Sequence, residues 1–436
     1  MMQQIKKVIF YVIFLACSLS TMRASHNTSR YFPFLEKTSN YVIGRRSHIN
    51  PEYFYTTAST SIRRGGGTGG IPELWGRYDL KDVINSLKVV RAAQGITVDP
   101  VKEVTGSDEF DGKSAIFHVS GKVKSQGLIL DYEQDLHWGG FSVGFWLPLM
   151  DVGTSNRFSF RRDLSDPYFS NPTLPARAQA QQILVLDQIR RLTHQEICFK
   201  GNEWRKGGFG DLDMHLRWSY YKDHVMLMRS IDVNILGGVV APTGVLSNIN
   251  YPSSVSFMGN GHWTLYLDLV PEFELKQDWK LGLILGFMHQ FKHTRTLRIP
   301  VTKEPAIFSA LVGRVEIDPG STFKASPYFT LENLTDGLHF QVRYTYLRHR
   351  KDTWIDKRPD TSVQSYLQKD CTIIAMKRNL SQFRSHYVTL QLTYDAKEAM
   401  KKWFMNPYLY VAYDMPIGGD AIAQTHQLSI GAELHF

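Results

Sequence analysis

His289 and His293 stand four residues apart. On a helix that spacing turns two imidazoles toward one metal ion, and a glutamate after the first would supply a base. Here the next residue is Gln290, and the surrounding row alternates as a strand does, which holds the two rings well apart. No metal is expected there. Arg63-Arg64-Gly65-Gly66-Gly67-Thr68-Gly69-Gly70 is glycine-rich but lacks the Lys-Ser/Thr of a phosphate-binding loop. No Gly-x-Ser-x-Gly elbow occurs. His386 lies on an apolar row, the setting of Ser-His pairs in lipid-acting surface enzymes, yet no serine can be placed beside it. The sequence therefore assigns no catalytic residue, no metal and no cofactor, and the chain reads as a non-enzyme. What remains is a set of polar residues interleaved with apolar ones: Asp213, His215 and Arg217, then Asp268 and Glu272, then His339, Gln341 and Arg343, and Glu433. This lining of mixed sign suits a watery pore or an internal salt-bridge network, and both stay open.

Such residues need strands with one greasy and one wet face. The last ten residues show this most clearly. Leu428, Ile430, Ala432, Leu434 and Phe436 share one face, and Gln427, Ser429, Gly431, Glu433 and His435 the other. An alternating strand that ends on an aromatic residue resembles the terminal recognition strand of bacterial outer-membrane proteins, which implies insertion through the barrel-assembly machinery. The alternation recurs at Leu212–Tyr220, Val225–Ile235 (with Arg229 breaking the row), Trp263–Leu275, Trp279–Phe287, Phe323–Leu331, Leu338–Tyr346, Val388–Tyr394 and Leu409–Met415. Weaker rows lie near 113–123, 126–135 and 140–150. Helical spacing is absent from these rows. Aromatics tend to close them (Trp218, Tyr220, Trp263, Trp279, Tyr346, Tyr394, Tyr413), where an interfacial girdle would sit. A soluble β-sandwich would alternate too, but without so regular a placement of its largest rings.

Linker lengths give a second test, since bacterial barrels keep short turns on the periplasmic side and long loops outside. The links 221–224, 276–278 and 332–337 are short, and 151–207, 241–261, 293–320 and 347–383 are long. They alternate correctly if 305–317 is loop. The expected fold is an all-β, antiparallel, up-and-down transmembrane barrel of about 12 strands, with 14 possible, over residues 113–436. Composition fits: 43% hydrophobic, 21% charged and 13% aromatic residues. Residues 1–24 read as a signal peptide, with Lys6 and Lys7 before an apolar core too short to span a bilayer. Phe14-Leu15-Ala16-Cys17 loosely resembles a lipoprotein box. An exported chain with scattered basic residues has no nucleic-acid partner.

Residues 25–112 read as a separate segment that plugs the barrel or hangs in the periplasm, with a short helix over 80–94. Pro175 is suited to open a helix over Ala176–His194, which either enters the barrel mouth or lies on the rim. Cys198 and Cys371 both fall in outer loops, and an oxidising compartment permits a disulfide between them. Two free thiols in protein from native membranes, by mass spectrometry, would reject it. Arg348-His349-Arg350-Lys351, with Lys357 and Arg358, is basic and placed outside, where it would meet outer-membrane lipid and lipopolysaccharide phosphates or simply water.

The central strands carry a more specific text. Gly208-Phe209-Gly210-Asp211-Leu212 opens one strand, Pro242-Thr243-Gly244 closes its partner, and Gly259-Asn260-Gly261 opens the next. This order resembles the phenol-degradation-type outer-membrane transporter family, distantly similar to the fatty-acid transporter barrels. The likeness covers about 60 residues of short motifs, and such glycines also serve ordinary strand ends. It implies passage of small, apolar molecules across the outer membrane of a Gram-negative bacterium. The functional expectation is a pore or passive transporter for a small-molecule solute. The alternatives are a structural or surface-binding, adhesin-like barrel and, behind it, a barrel lipid hydrolase.

Overall fold

The computed structural model describes residues 29–35, 47–97, 102, 110–170, 175–225, 228–368, 379–396 and 406–436. The expected signal peptide lies outside them. Twelve strands form the barrel: β1 (His48–Ala58), β2 (Ile116–Asp135), β3 (Phe141–Phe160), β4 (Leu212–Val225), β5 (Met228–Ala241), β6 (Thr264–Lys276), β7 (Trp279–Gln290), β8 (Thr322–Thr335), β9 (Leu338–His349), β10 (Phe383–Asp395), β11 (Asn406–Asp420) and β12 (His426–His435). Each pairs antiparallel with its neighbours in chain order, and β1 pairs with both β2 and β12, so the sheet has no open edge. Closure satisfies every ladder within the ring, as a hydrocarbon setting demands.

The barrel is inside out. Leu128, Leu216, Leu265, Leu281, Leu392, Val411 and Ile430 all point outward and are 43–51% exposed. Inward positions hold buried polar groups such as Glu52, Asp213, Asp268, Lys324, Arg343 and Glu433. A continuous apolar belt of this size faces lipid, not water. Trp263, Trp279, Tyr220, Tyr394 and Tyr413 stand exposed at its margins, and Leu428, Ile430 and Phe436 continue it on β12. The inside-out ring is that of an outer-membrane barrel.

The expected strand number is met by two compensating differences. The rows near 113–123 and 126–135 are one strand of 20 residues, β2. The outward residues of its first half are His118, Ser120, Lys122, Lys124 and Gln126, and only from Leu128 onward are they apolar. β3 mirrors it: Phe141 to Leu149 is apolar on the outward side, and Asp151, Gly153, Ser155 and Arg157 are not. Leu128 pairs with Leu149 and Gln126 with Asp151, so the hydrocarbon boundary runs between these two rungs. About ten residues suffice to cross a bilayer, and the rest of this hairpin stands above it. The twelfth strand is β1, inside the segment assigned to a separate N-terminal region, so the boundary at 112 is corrected. Asn50, Pro51 and Glu52 interrupt its row and hid it.

Connections at the β12 exit end are short, 136–140, 226–227, 277–278 and 336–337, with 396–405 longer. At the other end, 59–115, 161–211, 242–263, 291–321 and 350–382 are long, and 421–425 is short. Residues 305–317 do not span: Val312–Asp318 sits in a small outer sheet between His293–Arg298 and Thr353–Asp356. The two expected helices, α1 (Leu80–Ala93) and α2 (Ala176–Glu196), form at the long-loop end. They bury Val83, Leu87, Leu186 and Ile189 against Phe117, Val119 and Phe308, on the inner side of the projecting β2–β3 hairpin. α1 therefore belongs to a cap at the long-loop end of the barrel. The glycine-rich run is a hairpin tip, with Gly65, Gly66 and Gly67 at φ of 80°, 97° and 78°, and the Gly65 amide donates to Asp420 at 2.8 Å.

His194 of α2 sits in this cap, its Nε2 2.9 Å from the Tyr78 hydroxyl and its ring stacked on Phe308. Burial first, then Arg190 and Arg298, push its pKa down to about 3. The unfolded ring, near 6.5, binds more protons than the folded one between these values. Cap stability is therefore full above about pH 6.5 and falls as pH drops toward 3. The hydrogen-exchange protection factors of α1 and α2, which are corrected for the intrinsic pH dependence of exchange, are expected to fall across that window in the native chain and much less in His194→Gln. Equal pH profiles would remove His194 as the cause.

Candidate functional site: the lumen and its outer cavity

Three repeated units organise the lumen. Tyr266 on β6 lies directly opposite Gly238 on β5, and its hydroxyl donates to Asp213 of β4 at 2.6 Å. Tyr328 on β8 lies opposite Gly282 on β7 and donates to Glu272 of β6 at 2.8 Å. Tyr410 on β11 lies opposite Gly431 on β12 and donates to Glu52 of β1 at 2.7 Å. In each, the ring lies flat across the middle strand where a Cβ would come within 2.0–2.5 Å of ring carbon Cζ. Each strap ties three adjacent strands, and the last crosses the seam where the first and last strands meet.

Ion pairs fill the space between. Arg217 contacts Glu133 at 3.0 Å, and His215 contacts Asp213 at 3.1 Å. Lys324 lies 3.7 Å from Asp268, and Lys280 reaches Glu332 at 2.8 Å and Glu272 at 3.5 Å. Gln341 donates to Thr330 at 2.9 Å and Arg343 to Thr389 at 3.4 Å. The inward face thus holds all nine sequence-proposed lining residues, with Asp213, Asp268 and Arg343 at 0–1% exposure. The sequence missed their partners: Glu52, Glu133, Lys280, Lys324 and the three tyrosines. A signal existed, a tyrosine on the polar side of a row whose neighbour carries glycine, but only the register reveals who is opposite whom.

Residues Ser29–Leu35 pass through the upper lumen. Phe32 and Phe34 are 1–2% exposed. The Phe34 ring meets Phe54 edge-on at 5.1 Å and Trp146 at 6.0 Å, both inward-facing wall residues. The Thr425 hydroxyl donates to the Tyr31 carbonyl at 2.6 Å, and the Ala423 amide to that of Arg30 at 3.1 Å. Arg30 donates to the carbonyls of Leu380 and Ser381 at 2.6 and 2.8 Å and stacks over Trp75.

Above this segment lies a cavity of about 150 Å³, walled by Tyr31, Trp75, Met258, Trp354 and Phe383 together with Arg30, Arg295 and Arg298. Arg298 is spent on the carbonyls of Ile249, Ser309 and Ile197, and burial pushes its pKa down to about 10. Arg295 is spent on Asn260 and Ser247. Arg30 differs: its Nη1 is buried without a hydrogen-bond partner.

The three short motifs meet in one knot beside the cavity. Buried Asp211 accepts from the Gly244 amide at 2.8 Å and the Gly259 amide at 2.7 Å. Thr243 donates to the Gly210 carbonyl and accepts from the Leu212 amide. Glu203–Phe209 pairs with the outer half of β3 and β4 with its inner half, so Gly210-Asp211 is the step between them. A Cβ on Gly244 would stand 2.7 Å from the Asp211 carboxylate. These glycines are set by a clamp on the outer rim.

Other proposed residues are not brought together. His289 faces outward beside Phe291, while His293 packs on His262. Tyr344 hydrogen-bonds His386 at 2.6 Å on the outer face, an interfacial pair rather than a nucleophile and base. The basic tract is divided: His349 is buried on Thr322 and Asp352, and Arg358 pairs with Asp356. Cys198 is exposed, and Cys371 lies outside the described residues.

No family model matches this sequence, and no curated protein matches it. Among solved structures, the chain is similar to an outer membrane channel from Pseudomonas putida F1, at 9% identity and a TM-score of 0.45, over 92% of this chain and 100% of that one. It is similar to the translocator domain of the autotransporter NalP from Neisseria meningitidis, at 8% identity and 0.32, over 90% and 89%. A FadL homologue from Pseudomonas aeruginosa gives 9% and 0.29, over 90% of each chain. At these values the likenesses say nothing of the solute, and the barrel rests on its own strand pairing.

Proposed function

We propose that the protein is a passive outer-membrane transporter for small solutes with an apolar body and one acceptor oxygen, captured in the outer cavity. The supporting observation is the cavity itself. Its aromatic walls suit an apolar ring or short chain, because a ligand pocket is mostly apolar with few placed polar groups. Arg298 is held by three backbone carbonyls and Arg295 by the Asn260 carbonyl and the Ser247 hydroxyl, while Arg30 Nη1 is left to meet a single oxygen. A buried donor without a partner costs about 1–3 kcal/mol, and a solute acceptor would offset that.

The test is uptake into proteoliposomes made with purified refolded protein, comparing a monoaromatic alcohol with a sugar of similar size. Faster entry of the alcohol, lost in Arg30→Met, is the expected result. Equal rates for both would make it a general pore. No uptake of either, with no conductance, would leave the surface-binding reading.

A further inference from the structure

At the opposite end of the barrel, His48 begins β1 and lies directly across from His435 near the end of β12. Both rings turn inward and are 3% and 1% exposed, with Glu433 beside them at 5%. One ligand atom from each of His48, Glu433 and His435 lies within 4.8 Å of the other two, the only such triad of metal-ligating types among the described residues. Several of these atoms have nothing to bond: Nδ1 of His48, both ring nitrogens of His435 and Oε1 of Glu433 are buried without a hydrogen-bond partner. Buried polar atoms are nearly always satisfied, so a group of them aimed at one point calls for a shared partner. His435 Nε2 and Glu433 Oε1 are 3.0 Å apart, close enough for one ion to meet both.

We propose that His48, Glu433 and His435 form a binding site for a divalent transition metal of Zn²⁺ type, spanning the seam between the first and last strands. The donor set decides the class. Two imidazoles and one carboxylate match Zn²⁺, whereas Mg²⁺ and Ca²⁺ take oxygen ligands. Ligands on a tetrahedral Zn²⁺ with bonds of about 2.0–2.2 Å sit roughly 3.3 Å apart. The present separations, all within 4.8 Å, are close to that spacing. The second shell is also in place. Asp131 of β2 lies 3.6 Å from Nε2 of His48, so that nitrogen faces a carboxylate and Nδ1 is the one left for the ion, a carboxylate–histidine–metal arrangement. Three protein ligands leave one position open to the lumen.

The ion would join residues 48 and 435, almost the whole length of the chain, at the point where the ring closes. Metal bound to the folded state only adds stability by mass action. The site stands apart from the outer cavity, and its failure would leave the transport reading untouched.

The test uses tag-free, full-length protein refolded in detergent and stripped with EDTA. Titration with Zn²⁺, followed by calorimetry and by metal content after gel filtration, is expected to show one ion per chain and a raised urea midpoint, with Mg²⁺ giving neither. Co²⁺ in its place is expected to give the visible absorption of a tetrahedral nitrogen–oxygen site. His48→Gln and Glu433→Gln, read separately, are each expected to weaken binding at least about tenfold and to remove the midpoint shift. His435 lies in the strand tied to assembly, so a refolding failure of its variant leaves those two to decide. Zn²⁺ affinity unchanged in both, no bound Zn²⁺ in the native chain, or an equal response to Mg²⁺ would each overturn the proposal.

Discussion

Replacing Phe32 and Phe34 together by alanine is expected to raise single-channel conductance in planar bilayers several-fold, with long-lived openings that the native chain lacks. Ser29–Leu35 crosses the lumen just beneath the outer cavity, and what seats it is chiefly these two rings against Phe54, Trp146, Met150 and Val152. Truncating a well-buried phenylalanine costs about 3–5 kcal/mol. Further anchors are the two Arg30 contacts, the bonds from the Ala423 amide and the Thr425 hydroxyl to the Arg30 and Tyr31 carbonyls, and the Trp75 indole donating to the Tyr31 hydroxyl at 2.8 Å. Loss of both rings lowers the cost of lifting the segment away by several kcal/mol, while the twelve-strand ladder is untouched. Tyr53→Ala, on the outward side of the same strand, is the control and should leave conductance as it was. If the double variant conducts no better than the native protein, this segment does not limit permeation.

The outward face was largely legible in the sequence, and the reason is physical. A lipid-facing row has to be apolar at every second residue, so Leu428, Ile430 and Leu434 announce themselves one at a time. Where the strand leaves hydrocarbon the rule lapses. That is why Lys122 and Lys124 broke β2 in two, and why Asn50 to Glu52 concealed β1. The inward face is a different problem. Asp213, Asp268 and Arg343 were readable as lumen residues by parity alone, yet their partners are set by register across strands distant in sequence. Tyr410 and Glu52 are separated by 358 positions. The Gly-Phe-Gly-Asp-Leu, Pro-Thr-Gly and Gly-Asn-Gly motifs were visible as text. Their joint meaning, one carboxylate holding two loop amides, appears only when the three are folded together. The cavity was invisible, because Arg30, Trp75, Met258 and Phe383 come from four separate stretches with no common period.

Gly282→Ala is expected to destabilise the barrel by about 1–3 kcal/mol, the usual cost of overpacking, and Gly282→Val by more. The effect should nearly vanish when Tyr328 is also alanine. The reason lies in the row Glu272, Gly282 and Tyr328, which are direct partners across β6, β7 and β8. A Cβ on Gly282 would stand 2.0 Å from Cζ of Tyr328, so the ring must leave its groove, and its hydroxyl then leaves Glu272. Tyr328→Ala alone removes the ring and should cost several kcal/mol. In its presence the added methyl at Gly282 meets only vacated space. Two changes that share one contact are therefore non-additive, with a coupling of about 1–3 kcal/mol. The readout is reversible urea unfolding in lipid vesicles, followed by the mobility shift between folded and unfolded chain in unheated gels. The same cycle at Gly431 and Tyr410 should show the larger coupling, because that strap alone crosses the β1–β12 seam and its loss opens the ring at its closing joint. Additive costs at both positions would mean that the tyrosines merely lie over the glycines and tie nothing together.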